Sequence, residues 1–239
     1  MSDKKRGFIR VLWGTQKEGD DFSRNKREIV NDDVEVLSRN KFDSLLNPIT
    51  FIFGRDNYRY MIDQGFTSCV MLDKNPWPKI YENQHFFAPK FAAYQAATDY
   101  FDEFVFLDID CMPVKPLPDN FWEEHAKKEA IQGSLMLYMV RVAGWRDRDK
   151  RKVPCGCYVY IRDKKIPSAL IQLGKDYPNA HNDEDLMARY IDDNIANNWQ
   201  GLDYYLNQNF LCSVVQLKDL YLRIVKTPIK CVLNIWMVK

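Results

Sequence analysis

The chain has 239 residues, which fits one large α/β domain better than two small ones. Its 34 basic and 33 acidic side chains leave a formal charge of +1, which excludes a polycation and confines any anionic partner to a local patch. Hydrophobic residues at 46% support a substantial core, and an aromatic share of 14% is high enough to suggest rings lining a cleft or an acceptor surface as well.

Met1 to Arg6 contain no apolar signal core, and no apolar run nears the roughly 18 residues needed to span a bilayer, so the expected location is the cytoplasm. Phe8–Trp13 then reads as a buried strand ended by Gly14-Thr15. Residues 16–47 are polar, with weak helical periodicity over Val30–Leu37. Ile49–Phe53 is a second strand, Asn57–Gln64 a short helix with Gly65 as its stop, and Ser68–Leu72 a third strand. His85–Phe101 carries helical spacing in Phe87, Phe91, Tyr94, Ala97 and Phe101, and Glu103–Leu107 is a fully apolar strand after its first residue. A further strand region is expected within Ala130–Val142 and another at Tyr158–Ile161, followed by helices over Pro167–Lys175 and Glu184–Asn194. Asn182 or Asp183 is the N-cap candidate of the last helix, and the C-terminal quarter has no clear period. Alternation of strands and helices predicts a mostly parallel, doubly wound sheet, in which ligands bind beyond the carboxyl ends of the strands.

Six cysteines are present, and four sit inside apolar runs, which reads as buried thiols rather than a disulfide frame. Cys155-Gly-Cys157 is too closely spaced for a common zinc pair.

The chemical signal is Phe104-Val-Phe-Leu-Asp-Ile-Asp-Cys-Met-Pro-Val114. Asp108 and Asp110 stand two residues apart at a strand end, where the chain turns and both carboxylates converge on one cation. Hard divalent ions such as Mn²⁺ or Mg²⁺ prefer such oxygen ligands and clamp diphosphates. With a buried strand and a helix before it, this Asp-x-Asp segment resembles the hallmark of the GT-A superfamily of nucleotide-sugar-dependent glycosyltransferases. The branch with glycogenin-like and bacterial galactosyltransferase members is the nearest.

The resemblance covers roughly residues 7–190 and rests on order and spacing. It implies an α/β, GT-A-like single domain, with a nucleotide-binding part at about 7–115 and an acceptor-binding part at about 116–239. It implies that Asp108 contacts ribose or metal, that Asp110 binds metal, and that Lys90 faces the nucleotide or sugar; on its own residues Lys90 reads equally as a surface lysine. It places the nucleobase and ribose at Trp13, Gly14 and Thr15. Pro154–Ile161 is similar to a strand in which a glycine, here Gly156, lets the backbone approach the donor sugar. Asn182-Asp-Glu-Asp185 resembles an acidic helix start near the acceptor, where Glu184 or Asp185 acts as general base or positions the sugar. The same acids are also favourable charges at a helix N-terminus. The family completes its metal site with a C-terminal His, which is missing, since the histidines are His85, His125 and His181. Asn234 or another C-terminal oxygen, or His181, is the substitute.

The expected activity is therefore metal-dependent transfer of a sugar from a nucleotide-diphosphate donor, UDP-linked by resemblance, to a hydroxyl. Arg141, Arg146, Arg148, Lys150, Arg151 and Lys152, with Trp145 among them, suit a polyanionic acceptor, because cations position phosphates and the ring stacks on a base. With Asp147 and Asp149 in the same stretch, the segment also reads as a solvated loop. Hydroxymethylated DNA and a cell-surface glycan are the acceptors considered. A sugar-phosphate nucleotidyltransferase is the alternative of another class, although Gly14-Thr-Gln-Lys-Glu-Gly19 only faintly resembles its Gly-rich loop, and a non-catalytic nucleotide-sugar binding protein is the third.

Overall fold

The computed structural model describes residues 4–13, 46–72, 88–108, 111–113, 117–137, 152–178, 180, 183–195 and 211–213. Along these run β1 (Arg6–Leu12), β2 (Ile49–Phe53), α1 (Arg55–Asp63), β3 (Cys69–Leu72), α2 (Ala88–Ala97), β4 (Glu103–Leu107), β5 (Cys111–Pro113), α3 (Phe121–Ala126), β6 (Ile131–Leu137), β7 (Lys152–Ile161), α4 (Lys165–Asp176), α5 (Asp183–Asn194) and β8 (Leu211–Ser213).

Six strands form one sheet in the order β3-β2-β1-β4-β7-β6, and β5 pairs with β8 separately. The three ladders joining β3, β2, β1 and β4 are parallel. β7 runs antiparallel to both β4 and β6. The sheet is mostly parallel, as expected, with an antiparallel hairpin added beside β4. An apolar strand looks the same in either direction, so the reversal has no counterpart in the hydrophobic pattern.

Both faces are covered, because successive side chains of a strand point to opposite sides. Ile9, Val11, Phe51, Phe104, Phe106, Val159 and Ile161 form one face, packed on Phe91 and Tyr94 of α2, Leu170 of α4 and Met187 of α5. Phe8, Val105, Leu107, Tyr158 and Tyr160 form the other with Phe121 of α3, while Leu12 and Ile52 meet Met61 of α1. α1 ends as anticipated at Gly65, whose φ of +87° lies in the left-handed region that costs glycine nothing.

Glu103 and His125 are buried beside these layers, and both are hydrogen-bonded. Glu103, at the amino end of β4, accepts from Arg6 Nε at 2.6 Å and from the Tyr160 hydroxyl. Burial raises its pKa, but those two donors outweigh it and hold the carboxyl below its ordinary value. His125 closes α3: its Nδ1–H donates to the Phe121 carbonyl at 2.7 Å, so its Nε2 accepts from the Tyr158 hydroxyl at 2.6 Å. The same helix end is capped by Arg162, whose guanidinium donates to the carbonyls of Ala126 at 2.7 Å and Lys128 at 2.6 Å.

Candidate active site

Phe104, Phe106 and Asp108 alternate along β4 and its exit, and the two rings pack in the core that includes α2. Asp108 therefore leaves the sheet on the α2 side, at the carboxyl end of a parallel strand. There it meets Lys90, the third residue of α2. The Lys90 Nζ lies 3.3 Å from both Asp108 oxygens, donates to the Gly156 carbonyl of β7 at 2.9 Å and to Asp183 Oδ2 of α5 at 3.1 Å, and stands 5.2 Å from the Phe106 ring centroid. Three segments that are 18, 66 and 93 residues from Lys90 in sequence thus converge on one ammonium group.

The electrostatics explain why this lysine is charged although only 2% exposed. Burial works to lower its pKa, but the charges of Asp108 and Asp183 and the Asp183 hydrogen bond outweigh it and hold the ammonium well above the ordinary lysine range. A cation in the first turn of a helix opposes the helix dipole, so α2 does not favour Lys90 there; the two carboxylates do. The reverse holds for α5, whose first turn carries Asp183, Glu184 and Asp185 with the dipole.

Gly156 is held from both sides. β4 ends at Leu107, opposite Tyr158, two residues beyond Gly156. Besides the carbonyl bound by Lys90, the Gly156 N–H donates to Glu184 Oε1 at 2.9 Å. A Cβ at this position would stand 2.5 Å from Asp183 Oδ2 and 3.2 Å from its Cγ, so no side chain fits while Asp183 keeps its place.

Of the residues singled out in the sequence, Lys90, Asp108, Gly156 and Glu184 are brought together. Asp185 is adjacent in α5 and 1% exposed. Trp13 follows β1 and is packed in the core with Phe91. Lys152 is the first residue of β7, and it pairs with Leu137 at the end of β6. Gly14, Thr15, Asp110, Asn234, His85, His181, Arg141, Trp145, Arg146, Arg148, Lys150 and Arg151 lie outside the described residues. Asp183 is the site residue that sequence reasoning passed over, because an acid there serves equally as a cap or as a dipole partner. Its only local sign is its place in an unbroken Asp-Glu-Asp triplet that opens a helix.

Carboxylate oxygens such as those of Asp108 are the donors that hard cations prefer. Asp108 keeps its side chain 27% exposed, the Lys90 ammonium lies between Asp108 and Asp183, and Glu184 stands next to them on the Gly156 N–H. Among the described residues no group of three or more His, Cys, Asp or Glu is arranged to hold a metal. Cys69 is a free, half-buried thiol whose pKa burial raises to about 11, so it is a poor nucleophile and a poor metal ligand. Among the described residues no helix is long and apolar enough to cross a membrane.

No protein-family model matches the chain, and no curated protein sequence matches it. Solved structures do superpose on it. A protein described as a glucose-1-phosphate thymidylyltransferase from Bacillus anthracis is 13% identical, over 83% of this chain and 86% of that one, with a TM-score of 0.45. A 4-diphosphocytidyl-2C-methyl-D-erythritol synthase from Anaerococcus prevotii is 12% identical, over 92% and 96%, with a TM-score of 0.43. Mouse xyloside xylosyltransferase 1 is 11% identical, over 83% and 85%, with a TM-score of 0.41. At these identities and TM-scores the likeness carries no argument about substrate, reaction or cofactor.

Proposed function

We propose that the chain is a metal-dependent glycosyltransferase of GT-A-like design, moving a sugar from a nucleotide-diphosphate sugar, UDP-linked, to an acceptor hydroxyl. The observation that carries this reading is the convergence of Asp108, Gly156 and Asp183 on Lys90 at the carboxyl end of β4. That is where an open α/β sheet binds its ligand. The strand-end acid, the helix lysine, the glycine strand and the acidic helix start are the parts whose order along the chain resembles that superfamily.

In this proposal residues 7–115 bind the nucleotide, with Trp13, Gly14 and Thr15 at the base and ribose, and residues 116–239 bind the acceptor. Asp108 and Asp110, with Asn234 from the C-terminal part, would hold Mn²⁺ or Mg²⁺. The ion, when bound, neutralises charge on the departing diphosphate. Lys90 contributes a fixed positive charge beside Asp108, in a setting where an ammonium needs no reorganisation during the reaction. If the product is inverted, Glu184 takes the acceptor proton as the new bond forms at the anomeric carbon and the sugar–phosphate bond breaks. Glu184 is preferred to Asp185 for this role because it is half-buried at the Gly156 N–H, whereas Asp185 is enclosed.

The acceptor is proposed to be a polyanion. Residues 138–151 connect Leu137 to Lys152, which are paired, and Lys152 lies beyond Tyr158 on the Asp108 side of the sheet. Arg146, Arg148, Lys150, Arg151 and Trp145 belong to that connection. Hydroxymethylcytosine DNA is the acceptor to try first, with soluble glycans as the comparison; transfer to glycans alone would remove the DNA proposal.

The reaction class is tested by incubating the protein and Mn²⁺ with a panel of nucleotide sugars. Release of nucleoside diphosphate is expected. Release of pyrophosphate from a nucleoside triphosphate and a sugar phosphate would instead make the protein a nucleotidyltransferase, and neither release would leave a binding protein.

A further inference from the structure

We propose that Asp183 is a positioning residue of this site, that it acts by drawing the Lys90 ammonium away from Asp108, and that residue 156 is glycine to admit it. The effect on transfer rests on the function proposed above; the geometry does not.

Lys90 has two carboxylate partners, and they differ in setting. Asp183 is 4% exposed and its Oδ2 is the nearer, at 3.1 Å. Asp108 is 27% exposed and both of its oxygens stand at 3.3 Å. Breaking an enclosed ion pair leaves a charge that water cannot reach, whereas water can replace a partner that faces solvent, so the Asp183 contact is the harder of the two to give up. Asp183 therefore anchors Lys90, and Asp108 retains charge and an open side toward the strand end. Without Asp183 the ammonium would have one carboxylate left, would close on Asp108 and would neutralise the acid meant for the donor and its cation.

The anchor needs space. Asp183 Oδ2 stands 2.5 Å from where a Cβ of residue 156 would be, and Oδ1 stands 3.3 Å from it. Both contacts are to a carboxylate that is itself fixed by Lys90, so it cannot swing aside without breaking the ion pair. The backbone on either side of this space is fixed too: the Gly156 carbonyl accepts from Lys90, and its N–H donates to Glu184, the next residue after Asp183. Resemblance alone assigned this glycine to close approach of a donor sugar. The group that fills its Cβ direction is Asp183.

Two measurements on one set of variants test this: wild type, Asp183→Asn, Asp183→Ala, Gly156→Ala and Gly156→Ala/Asp183→Ala. The first needs no activity. Lys90 is labelled with an amine-reactive acylating reagent and the modified peptide is quantified by mass spectrometry, with the thermal melt recorded for each protein. Loss of the enclosed partner leaves the Lys90 side chain free to reach the reagent, so each single variant is expected to label Lys90 about tenfold faster than wild type. The double variant is expected to match Asp183→Ala, because Gly156→Ala does harm only through Asp183. The second measurement is transfer. Asp183→Asn is expected to raise the Mn²⁺ and donor concentrations for half-maximal rate about tenfold, with a smaller change in kcat, as removal of ground-state binding predicts.

Unchanged Lys90 labelling in Asp183→Asn, or additive effects of the Gly156 and Asp183 changes, would overturn the proposal even if the wild type transfers sugar. Non-additive labelling in a protein that transfers no sugar would keep the positioning role and reject the glycosyltransferase reading. Should Gly156→Ala fail to fold, recovery of folding in the double variant supports the proposal, and failure of both while Asp183→Ala folds contradicts it.

Discussion

At the residue scale, the molecule's least replaceable side chain is Lys90. It is an ammonium enclosed by two carboxylates and a carbonyl, and removing one member of a buried ion pair leaves the others with uncompensated charge. Lys90→Met is expected to lower stability by about 3–5 kcal/mol in urea denaturation, with part of the loss restored in Lys90→Met/Asp183→Asn, where the enclosed anion is also removed. How far this site was legible can be judged residue by residue. Asp108 was legible because an acid directly after four apolar strand residues has no packing role. Lys90 was ambiguous, since the helical period alone does not say whether a residue in the first turn faces solvent or the strand end. Asp183 was illegible, because its local role as an acid at a helix start accounts for it fully. The close fit of Gly156 against it joins positions 27 apart in sequence and leaves no trace in either neighbourhood.

At the element scale, α3 is six residues long, too short to stand on its own helical propensity. It is held by side chains from β7 and the residue that follows it, which is also why no periodicity announced it. Arg162→Ala removes the donors to the Ala126 carbonyl of α3 and to the Lys128 carbonyl just after it, and is expected to cost about 1–3 kcal/mol, read as a lower urea midpoint with an unchanged slope. His125 makes the same helix sensitive to pH. Burial lowers its pKa from 6.5 to about 4, so the unfolded chain binds the proton more readily than the folded one. Its contribution is complete above pH 6.5 and is lost as pH falls toward 4, a span worth about 3 kcal/mol. Denaturation of wild type and His125→Gln at pH 7.5 and pH 4.5 checks this, since the gap between the two proteins should narrow at the lower pH. The longer elements were legible where the apolar spacing was strong. α2, α4 and α5 fall within or within two residues of the expected spans, while β5 and β8, at three residues each, are too short to carry a period.

At the scale of the whole molecule, one sheet joins strands from both halves of the chain. β7 comes from the second half and covers the flank of β4, while β1 covers the other. Its Val159 and Ile161 complete one core face, and its Tyr158 and Tyr160 complete the other. A chain ending at residue 150 would leave β4 as an exposed apolar edge and remove α4 and α5 from the core. It is expected to lack a cooperative thermal transition and to bind a hydrophobic dye, whereas a native-like melt would mean that residues 1–150 fold alone. The same topology explains why the fold class was legible and the site's assembly was not. Layering follows from the alternation of apolar runs, but the meeting of Lys90, Asp108, Gly156 and Asp183 depends on β7 running antiparallel beside β4.

In the proposed function this meeting point binds a nucleotide sugar together with a divalent cation. Isothermal titration calorimetry of UDP-sugars into the protein, with Mn²⁺ and with chelator, measures that directly for wild type, Asp108→Asn and Asp110→Asn. Saturable binding that requires the cation is predicted for the wild type, and loss of a charged ligand should weaken it at least about tenfold in each variant. Binding that is indifferent to Mn²⁺ and equal in all three proteins would mean that Asp108 and Asp110 hold no cation for the donor.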